Sequence, residues 1–306
     1  MANIGVCFPP PVGLLLIRMV AGIAVSKVRM TLSSFSEILD LQSVRGGSPL
    51  IGPDDPPPVE VFNEGGTAPI LLVCDHASRA IPEAMHLLGL EPAALDLHIA
   101  SDIGAGELTR LLARRLNAPA VLAGYSRLLI DCNRQPGDPQ SIPEVSDGVV
   151  IPGNQGLSEE EQAARAEAFH WPYHHAIDKA FAQLRRTGPE PLLFSIHTFT
   201  PSMGGEDRFW DVSVLWNRDP RMAVPLISML RDHDRFNVGD NEPYSGKEIA
   251  YTINLHAGAA GLANAAIEVR QDHCETLEEL TRWSELFGDA LEALLGMDHL
   301  HKVEHF

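Results

Sequence analysis

Two apolar runs that each end in a histidine constrain the fold of this chain most strongly. The first, Ile70–Cys74, is followed directly by Asp75 and His76, and the second, residues 191–196, ends at His197. Short aliphatic runs bounded by polar or turn-forming residues are typical of buried strands. Because open α/β sheets bind ligands outside the carboxyl ends of their strands, both histidines are predicted to lie where such proteins place their chemistry.

Helical patterns alternate with the predicted strands. Gly104 and Gly106 precede an amphipathic segment over 107–116, and capping boxes at 158–161 and 276–279 each begin a further helix. Strands that alternate with helices predict an α/β fold with three α/β/α layers and a mixed, largely parallel twisted sheet. We expect residues 59–306 to form this single domain.

Four further segments complete the predicted domain. Residues 125–134 have the pattern of a buried strand that ends in polar groups, residues 251–255 that of a short extended segment, and residues 265–272 that of the last strand. Residues 135–155 are rich in Pro, Gly and Asp and lack periodicity. A loop of that length inside a compact domain is often a binding loop or a lid.

The first 58 residues differ from the rest in composition. They end in the Pro-rich linker 53–58, and we expect residues 1–58 to be a poorly ordered extension. The apolar stretch 12–25 is too short for a membrane span, is interrupted by Arg18 and lacks the features of a signal peptide. Met30 is a candidate alternative start of translation.

Charge and cysteine usage exclude several classes of protein. The chain has 41 acidic and 23 basic residues, with a formal charge of −18. Nucleic-acid binding requires a basic surface, so we expect no nucleic-acid partner, and no membrane partner either. The four cysteines form no CxxC pair, which is typical of a reduced, cytoplasmic protein. The sequence leaves the oligomeric state open.

The strand-end residues match the donor set of a catalytic zinc site. Such sites commonly use two imidazoles and one carboxylate and keep a fourth position open. His76 and His197 are the candidate imidazoles for one Zn²⁺ ion. Asp102, which precedes the helix at 107–116, is the candidate carboxylate, with Asp75 and Asp131 as alternatives.

A carboxylate and three arginines are predicted to complete the site. Glu268 lies in an otherwise apolar strand and is the candidate general base. Strand alternation puts Arg270 on the same face as Glu268. Arg127, Arg134 and Arg270 can recognise an anionic substrate, and Arg127 or Arg134 can polarise the scissile carbonyl.

Each of these residues, taken alone, is more often structural than catalytic, and only their convergence favours a site. Asp102 fits an N-terminal helix cap equally well. His170 and His174 have the i, i+4 spacing of a metal-binding pair but lack the Glu of an HExxH motif. We therefore do not expect this pair to bind a metal, and we expect at least one of His170, His174 and His175 to line a pocket.

Several segments, in this order, resemble the N-formylglutamate amidohydrolase family in its branch of predicted amidohydrolases. The resemblance spans residues 71–295 and leaves out the N-terminal extension. It rests on the following segments: CDHASRAIP at 74–82, DIGA at 102–105, YSRLLIDCNR at 125–134, IPGN at 151–154, SIHTFTP at 195–201, DNEPYS at 240–245 and IEVRQD at 267–272.

The resemblance implies a single α/β/α domain related to zinc carboxypeptidases. It also implies hydrolysis of a linear amide bond in a small N-formyl or N-acyl acidic amino acid. His76 and His197 take the family role of zinc ligands, Glu268 that of general base, and Asn133 with Arg134 that of a pair that grips the substrate carboxylate.

One position departs from the related zinc carboxypeptidases, which use His-x-x-Glu. Arg79 stands three residues after His76, so the third ligand comes from elsewhere in the chain. Two alternative functions stay open: a non-catalytic protein that binds a small anion on the same fold, and a hydrolase of peptide or cell-wall amides.

Overall fold

The computed structural model describes residues 50–306 and contains one seven-stranded sheet. The strands are β1 Val59–Phe62, β2 Ile70–Cys74, β3 Ala120–Ala123, β4 Leu192–Phe199, β5 Val212–Leu215, β6 Val238–Asp240 and β7 Asn264–Arg270. Their order is β1-β3-β2-β4-β7-β5-β6. The pairs β1–β3 and β7–β5 are antiparallel and the others are parallel, which confirms the predicted mixed, largely parallel sheet.

Helices cover both faces of the sheet. They are α1 Ala105–Leu116, α2 Glu159–Arg165, α3 Trp171–Thr187, α4 Ala223–Arg231 and α5 Leu277–Leu295. On one face, Ile70 and Leu72 pack in a cluster with residues of α1, α4 and α5. On the other, Leu71 and Val73 pack in a cluster with residues of α3. Alternate side chains of a strand point to opposite faces, and β2 is buried on both faces of the sheet. Its sequence is therefore a continuous apolar run.

Both predicted capping boxes are present, and each begins a helix. In each, the N-cap hydroxyl accepts the backbone N–H of the Glu at N3, whose carboxylate accepts the backbone N–H of the N-cap residue. The helix that Ser158 begins is divided close to Pro172. A π-helical turn, Ala166–His170, separates α2 from α3 just before this proline, which cannot donate a backbone hydrogen bond.

Two predicted strands are absent from the structure. Residues 125–134 form successive turns, in which Leu129 N–H donates to Ser126 O and Arg134 N–H donates to Asp131 O. Tyr125, Leu128, Leu129 and Ile130 are buried in a third cluster that contains no residue of the seven-stranded sheet. Residues 251–255 are helical: Tyr251–Ile253 is one α-turn and Asn254–Gly258 a π-turn. A short buried apolar run has the same pattern in a strand, a turn or a helix, so periodicity did not separate them.

Part of the predicted N-terminal extension belongs to the domain. Gly124 N–H donates to Pro58 O and Tyr125 Oη donates to Pro56 O, and Leu50 and Ile51 pack on the third cluster. Residues 1–49, with the rest of the predicted extension and Met30, lie outside the described residues. Across 50–306, no helix combines the length and the apolar character that a membrane crossing requires.

Candidate active site

Three adjacent parallel strands bring the predicted residues to one edge of the sheet. β2, β4 and β7 are neighbours and run in the same direction, so their carboxyl ends meet. His76 follows β2, whereas His197 and Glu268 lie near the carboxyl ends of β4 and β7 and are paired in register. Paired residues of neighbouring strands point to the same face, so Glu268 and His197 lie side by side.

His76, Asp102 and His197 form a buried group with the composition of a metal site. One ligand atom from each lies within 4.8 Å of the other two. The Nδ1 atoms of both imidazoles face Asp102 Oδ2, at 3.2 Å for His76 and 2.8 Å for His197. No other group of three or more His, Cys, Asp or Glu residues with this spacing occurs between residues 50 and 306.

The opposite ring nitrogens of both histidines face other carboxylates. His76 Nε2 lies 2.7 Å from Asp131 Oδ1, and His197 Nε2 lies 3.0 Å from Asp75 Oδ2. A carboxylate only accepts, so each Nε2 carries a proton, and the same rule gives each Nδ1 a proton toward Asp102. A metal ion bound between the rings would replace the Nδ1 protons. Histidines that ligate metals are commonly oriented in this way by a carboxylate behind the ring. Asp75 and Asp131 therefore lie behind the imidazoles, and Asp102 lies between them.

The loop that carries Asp102 is held close to the end of β2. Asp102 N–H donates to His76 O at 3.0 Å. Gly104 adopts φ +82°, and a Cβ on Gly106 would lie 2.9 Å from Ala77 O, so α1 approaches β2 this closely only with glycine there. The N-cap of α1 is Gly104 rather than Asp102, and no side chain caps the amino end of this helix. Asp102 is therefore free to face the imidazoles.

Opposing charges fix the protonation of the buried carboxylates. Burial alone would raise the pKa of Asp131, but the charges of Arg127 and His76 outweigh it and hold this pKa well below its ordinary value. Arg127 Nη2 donates to Asp131 Oδ2 at 2.5 Å, and its Nη1 lies 3.5 Å from Asp102 Oδ1. For Asp102 too, His76 and His197 outweigh burial and lower the pKa. These two carboxylates are therefore ionised at neutral pH.

Glu268 behaves differently from the other acids of the site. Burial raises its pKa to about 7, although the charge of His197 opposes the shift. No residue between 50 and 306 donates a hydrogen bond to its carboxylate. A buried carboxyl with a pKa near neutrality both accepts and returns a proton readily, which is the property that a general base requires.

The site opens into a cavity of about 380 Å³. Asn133 and Arg134 line it, and the guanidinium of Arg134 has no hydrogen-bond or ion-pair partner among the described residues. Part of the predicted loop 135–155 forms one wall. It includes Val145–Ser146, the first strand of a small hairpin whose second strand is Val149–Val150.

The structure keeps two arginines away from the cavity. Arg270 pairs with Asp211 and Asp272 and does not line it, so we do not include Arg270 in the substrate-binding set. Arg79, which stands where a carboxypeptidase-type Glu would be, is exposed and pairs with Asp96.

Comparisons with known proteins agree with this geometry. A family model described as N-formylglutamate amidohydrolase matches residues 68–274. The chain belongs to the N-formylglutamate amidohydrolase family. The match includes every predicted site residue, and amidohydrolase chemistry is the activity class of the family.

Solved structures of similar proteins share the fold of this family member. The crystal structure of the gene product Atu2144 from Agrobacterium tumefaciens is 32% identical, with a TM-score of 0.78 over 80% of this chain and 98% of that one. N-formylglutamate amidohydrolase from Ralstonia eutropha JMP134 is 18% identical, with a TM-score of 0.53 over 78% of this chain and 95% of that one. A comparison with curated proteins found no match.

Sequence reasoning missed two hydroxyl groups in this N-formylglutamate amidohydrolase family site. Thr252 Oγ1 donates to Asp75 Oδ1 at 2.5 Å, and Ser195 Oγ lies 3.0 Å from His197 Nε2. Strand alternation could have indicated Ser195, which lies two residues before His197 and shares its face. No sequence pattern indicated Thr252, because the segment 251–255 was predicted to be extended.

The substitution Asp131→Asn tests the orienting role of the carboxylate behind His76. It removes the negative charge that favours the Nε2–H tautomer, and we expect the zinc affinity to fall about 10–100-fold. Competition with a chromogenic chelator measures this affinity. Asp147→Asn is the control, since Asp147 also lines the cavity but pairs with His98. Equal zinc affinities of the two variants would contradict the assignment.

Proposed function

We propose that this protein is a zinc-dependent amidohydrolase that cleaves a linear amide bond of a small N-formyl or N-acyl acidic amino acid. The observation that supports it most directly is the arrangement of His76, Asp102 and His197 beside Glu268 in one cavity. A metal site alone would also suit a binding protein. A buried carboxyl with a pKa near 7 at the same place supports catalysis.

The donors of this group fit zinc. Nδ1 of His76, Nδ1 of His197 and the Asp102 carboxylate would hold the ion, and two imidazoles with one carboxylate are a common set for catalytic zinc. When bound, zinc supplies Lewis acidity, which lowers the pKa of water to about 7 and polarises a carbonyl. Asp75 and Asp131 accept the Nε2–H groups, so Nδ1 of each ring would be the nitrogen that binds the ion.

Glu268 performs the proton transfers in the proposed reaction. Its carboxylate accepts a proton from the attacking water and then delivers that proton to the leaving nitrogen. Without that delivery, the amine would leave as an unfavourable anion. A pKa of about 7 allows both steps near neutral pH.

The arginines of the cavity bind and polarise the substrate. Arg134 has an unpaired guanidinium, and Asn133 Oδ1 accepts Thr252 N–H at 3.0 Å, which leaves the Asn133 amide N–H groups for a ligand. Together they suit the carboxylate of an acidic amino acid. Arg127 is held by Asp102 and Asp131 at the cavity wall, where its charge suits the developing oxyanion.

Metal analysis and a substrate panel test this proposal together. We expect about one zinc per chain and hydrolysis of N-formylglutamate or another N-acyl acidic amino acid, lost with a chelator and restored by zinc. Binding of these compounds without turnover would support a non-catalytic anion-binding protein. Turnover of peptide or cell-wall amides alone would support a hydrolase of those larger amides. Hydrolysis by protein without metal would contradict zinc dependence. A cytoplasmic location remains a prediction.

The substitution Arg134→Gln is expected to weaken substrate binding. It removes a charge-assisted contact to the substrate carboxylate, a contact that contributes about 1.5–3 kcal/mol. KM should therefore rise about 10–100-fold while kcat changes less. Steady-state kinetics on the active substrate measure both. The matched control is Arg270→Gln, whose guanidinium is paired elsewhere and whose loss should leave KM unchanged.

Zinc affinity is expected to fall as the pH falls. Burial lowers the pKa of His197, but hydrogen bonds to Asp102 and Asp75 outweigh it, and the pKa of His197 is raised well above its ordinary value. Zinc must displace a proton from such a ligand, so affinity is lost below this raised pKa and levels off above it. Chelator competition between about pH 6 and pH 8 measures the slope. An affinity independent of pH over this range would contradict the ligand assignment.

A further inference from the structure

Two imidazoles lie behind the segment that carries Asn133 and Arg134. His174 Nε2 lies 2.9 Å from Cys132 O, and His170 Nε2 lies 3.1 Å from Arg134 O. A carbonyl only accepts, so each Nε2 donates. The backbone carbonyls on the two sides of the Asn133–Arg134 peptide bond are therefore each fixed by a ring N–H.

A second histidine and a carboxylate orient His174. Because its Nε2 carries the proton, its Nδ1 accepts from His256 Nε2 at 2.8 Å. His256 Nδ1 lies 2.9 Å from Asp178 Oδ1 at the surface, and because a carboxylate only accepts, His256 donates to both partners only when both of its ring nitrogens are protonated. Burial opposes that form and lowers the pKa of His256, whereas the charge of Asp178 favours it. Burial, with the neighbouring His170 and His256, lowers the pKa of His174 to about 3, so its ring is neutral as this arrangement requires.

The same elements also hold the side chain of Asn133. Thr252 N–H donates to Asn133 Oδ1, and Thr252 lies in the helical turn Tyr251–Ile253, directly before the π-turn that carries His256. His170 and His174 thus hold the backbone on the two sides of Asn133, and Thr252 N–H holds its side chain. No residue of this network belongs to the group of His76, Asp102 and His197.

We propose that His170 and His174 are positioning residues for substrate recognition: they hold the carbonyls of Arg134 and Cys132 so that Asn133 and Arg134 face the substrate carboxylate. This inference rests on the proposed function, since it takes the two residues to bind that carboxylate. It goes beyond that function because it assigns substrate affinity to a histidine network outside the cavity. His170 and His174 do not touch the cavity or the metal group.

The substitution His174→Phe tests the proposal because it keeps a ring and removes both hydrogen bonds. We expect KM to rise about tenfold, with kcat and zinc content close to those of the unaltered protein. His174→Gln keeps an amide that can donate to Cys132 O, so it should restore most of the affinity. His175→Phe is the matched control. It makes the same change one residue away, at an exposed side chain without a hydrogen-bond partner in residues 50–306.

Failure of the inference is distinguishable from failure of the proposed function. If the unaltered protein is active and His174→Phe has the KM of His175→Phe, the positioning role is wrong. If His174→Phe loses zinc and kcat together with affinity, the network is merely structural and the inference is also wrong. If the unaltered protein turns over no substrate, the positioning role is tested by binding instead. Calorimetry then compares the affinities of His174→Phe and His175→Phe for N-formylglutamate, and equal affinities would contradict the role. Should His174→Phe not fold, His256→Phe removes the donor to His174 Nδ1 and should raise KM in the same direction.

Discussion

The substitution Glu268→Gln is expected to lower kcat about 10²–10⁴-fold with zinc retained. Gln keeps the size and polarity of the side chain but cannot accept the proton of the attacking water or deliver it to the leaving nitrogen. Glu268 is not one of the three proposed ligands, and its carboxyl lies in register with His197 on the neighbouring strand. KM should change little, because the residue acts in the transition state rather than in binding.

The control for this result is Glu275→Gln, the same chemical change at an exposed residue a short distance along the chain. Rate measurements at saturating substrate and zinc analysis of both variants decide the outcome. A Glu268→Gln variant that keeps full kcat would show that another group performs the proton transfer. A variant that loses zinc would show that Glu268 is a ligand rather than a base.

The substitution His197→Ala should abolish both tight zinc binding and activity. It removes one of three proposed ligands, so the loss of zinc affinity should exceed the roughly 10–100-fold loss expected when only an orienting carboxylate changes. It also leaves Asp75 and Asp102 buried without the imidazole that pairs with both. Zinc titration and activity with excess zinc measure the effect.

The matched control removes an exposed imidazole, His299→Ala, and should leave zinc affinity and activity unchanged. Because unpaired buried carboxylates cost stability, thermal unfolding of His197→Ala should be followed in parallel. A folded His197→Ala variant that binds zinc as tightly as the unaltered protein would contradict the ligand assignment.

The sequence was most informative where strands deliver side chains to the edge of the sheet. Apolar runs that end at His76 and His197, together with an acid inside the last strand, were enough to predict their neighbourhood, because parallel strands place their carboxyl ends together. The family resemblance was confirmed by the match over residues 68–274.

Local patterns could not supply what depends on side-chain orientation in three dimensions. From the sequence, Asp102 was the candidate carboxylate and Asp75 and Asp131 remained alternatives. Only the directions of the two imidazole rings separate the carboxylate that lies between the rings from the two that lie behind them. Arg270 shared a strand face with Glu268, yet Asp211 from another segment and Asp272, two residues after Arg270, pair with its guanidinium. The burial of residues 125–134 was predicted, but their turn conformation was not, because a buried strand and buried turns have the same apolar pattern.

The π-turn Ala166–His170 has a consequence for how this chain can vary. A π-turn contains one more residue than the α-helical turn it replaces, so it behaves as a single-residue insertion in an otherwise continuous helix. Removing that residue would rotate the helix before it by about 100° relative to α3. His170 is the last residue of this turn, so a change in the length of the turn would disturb its contact with Arg134 O, whereas His174 lies inside α3. Relatives that differ in length at this turn are therefore expected to differ in the substrates they prefer rather than in the metal they bind.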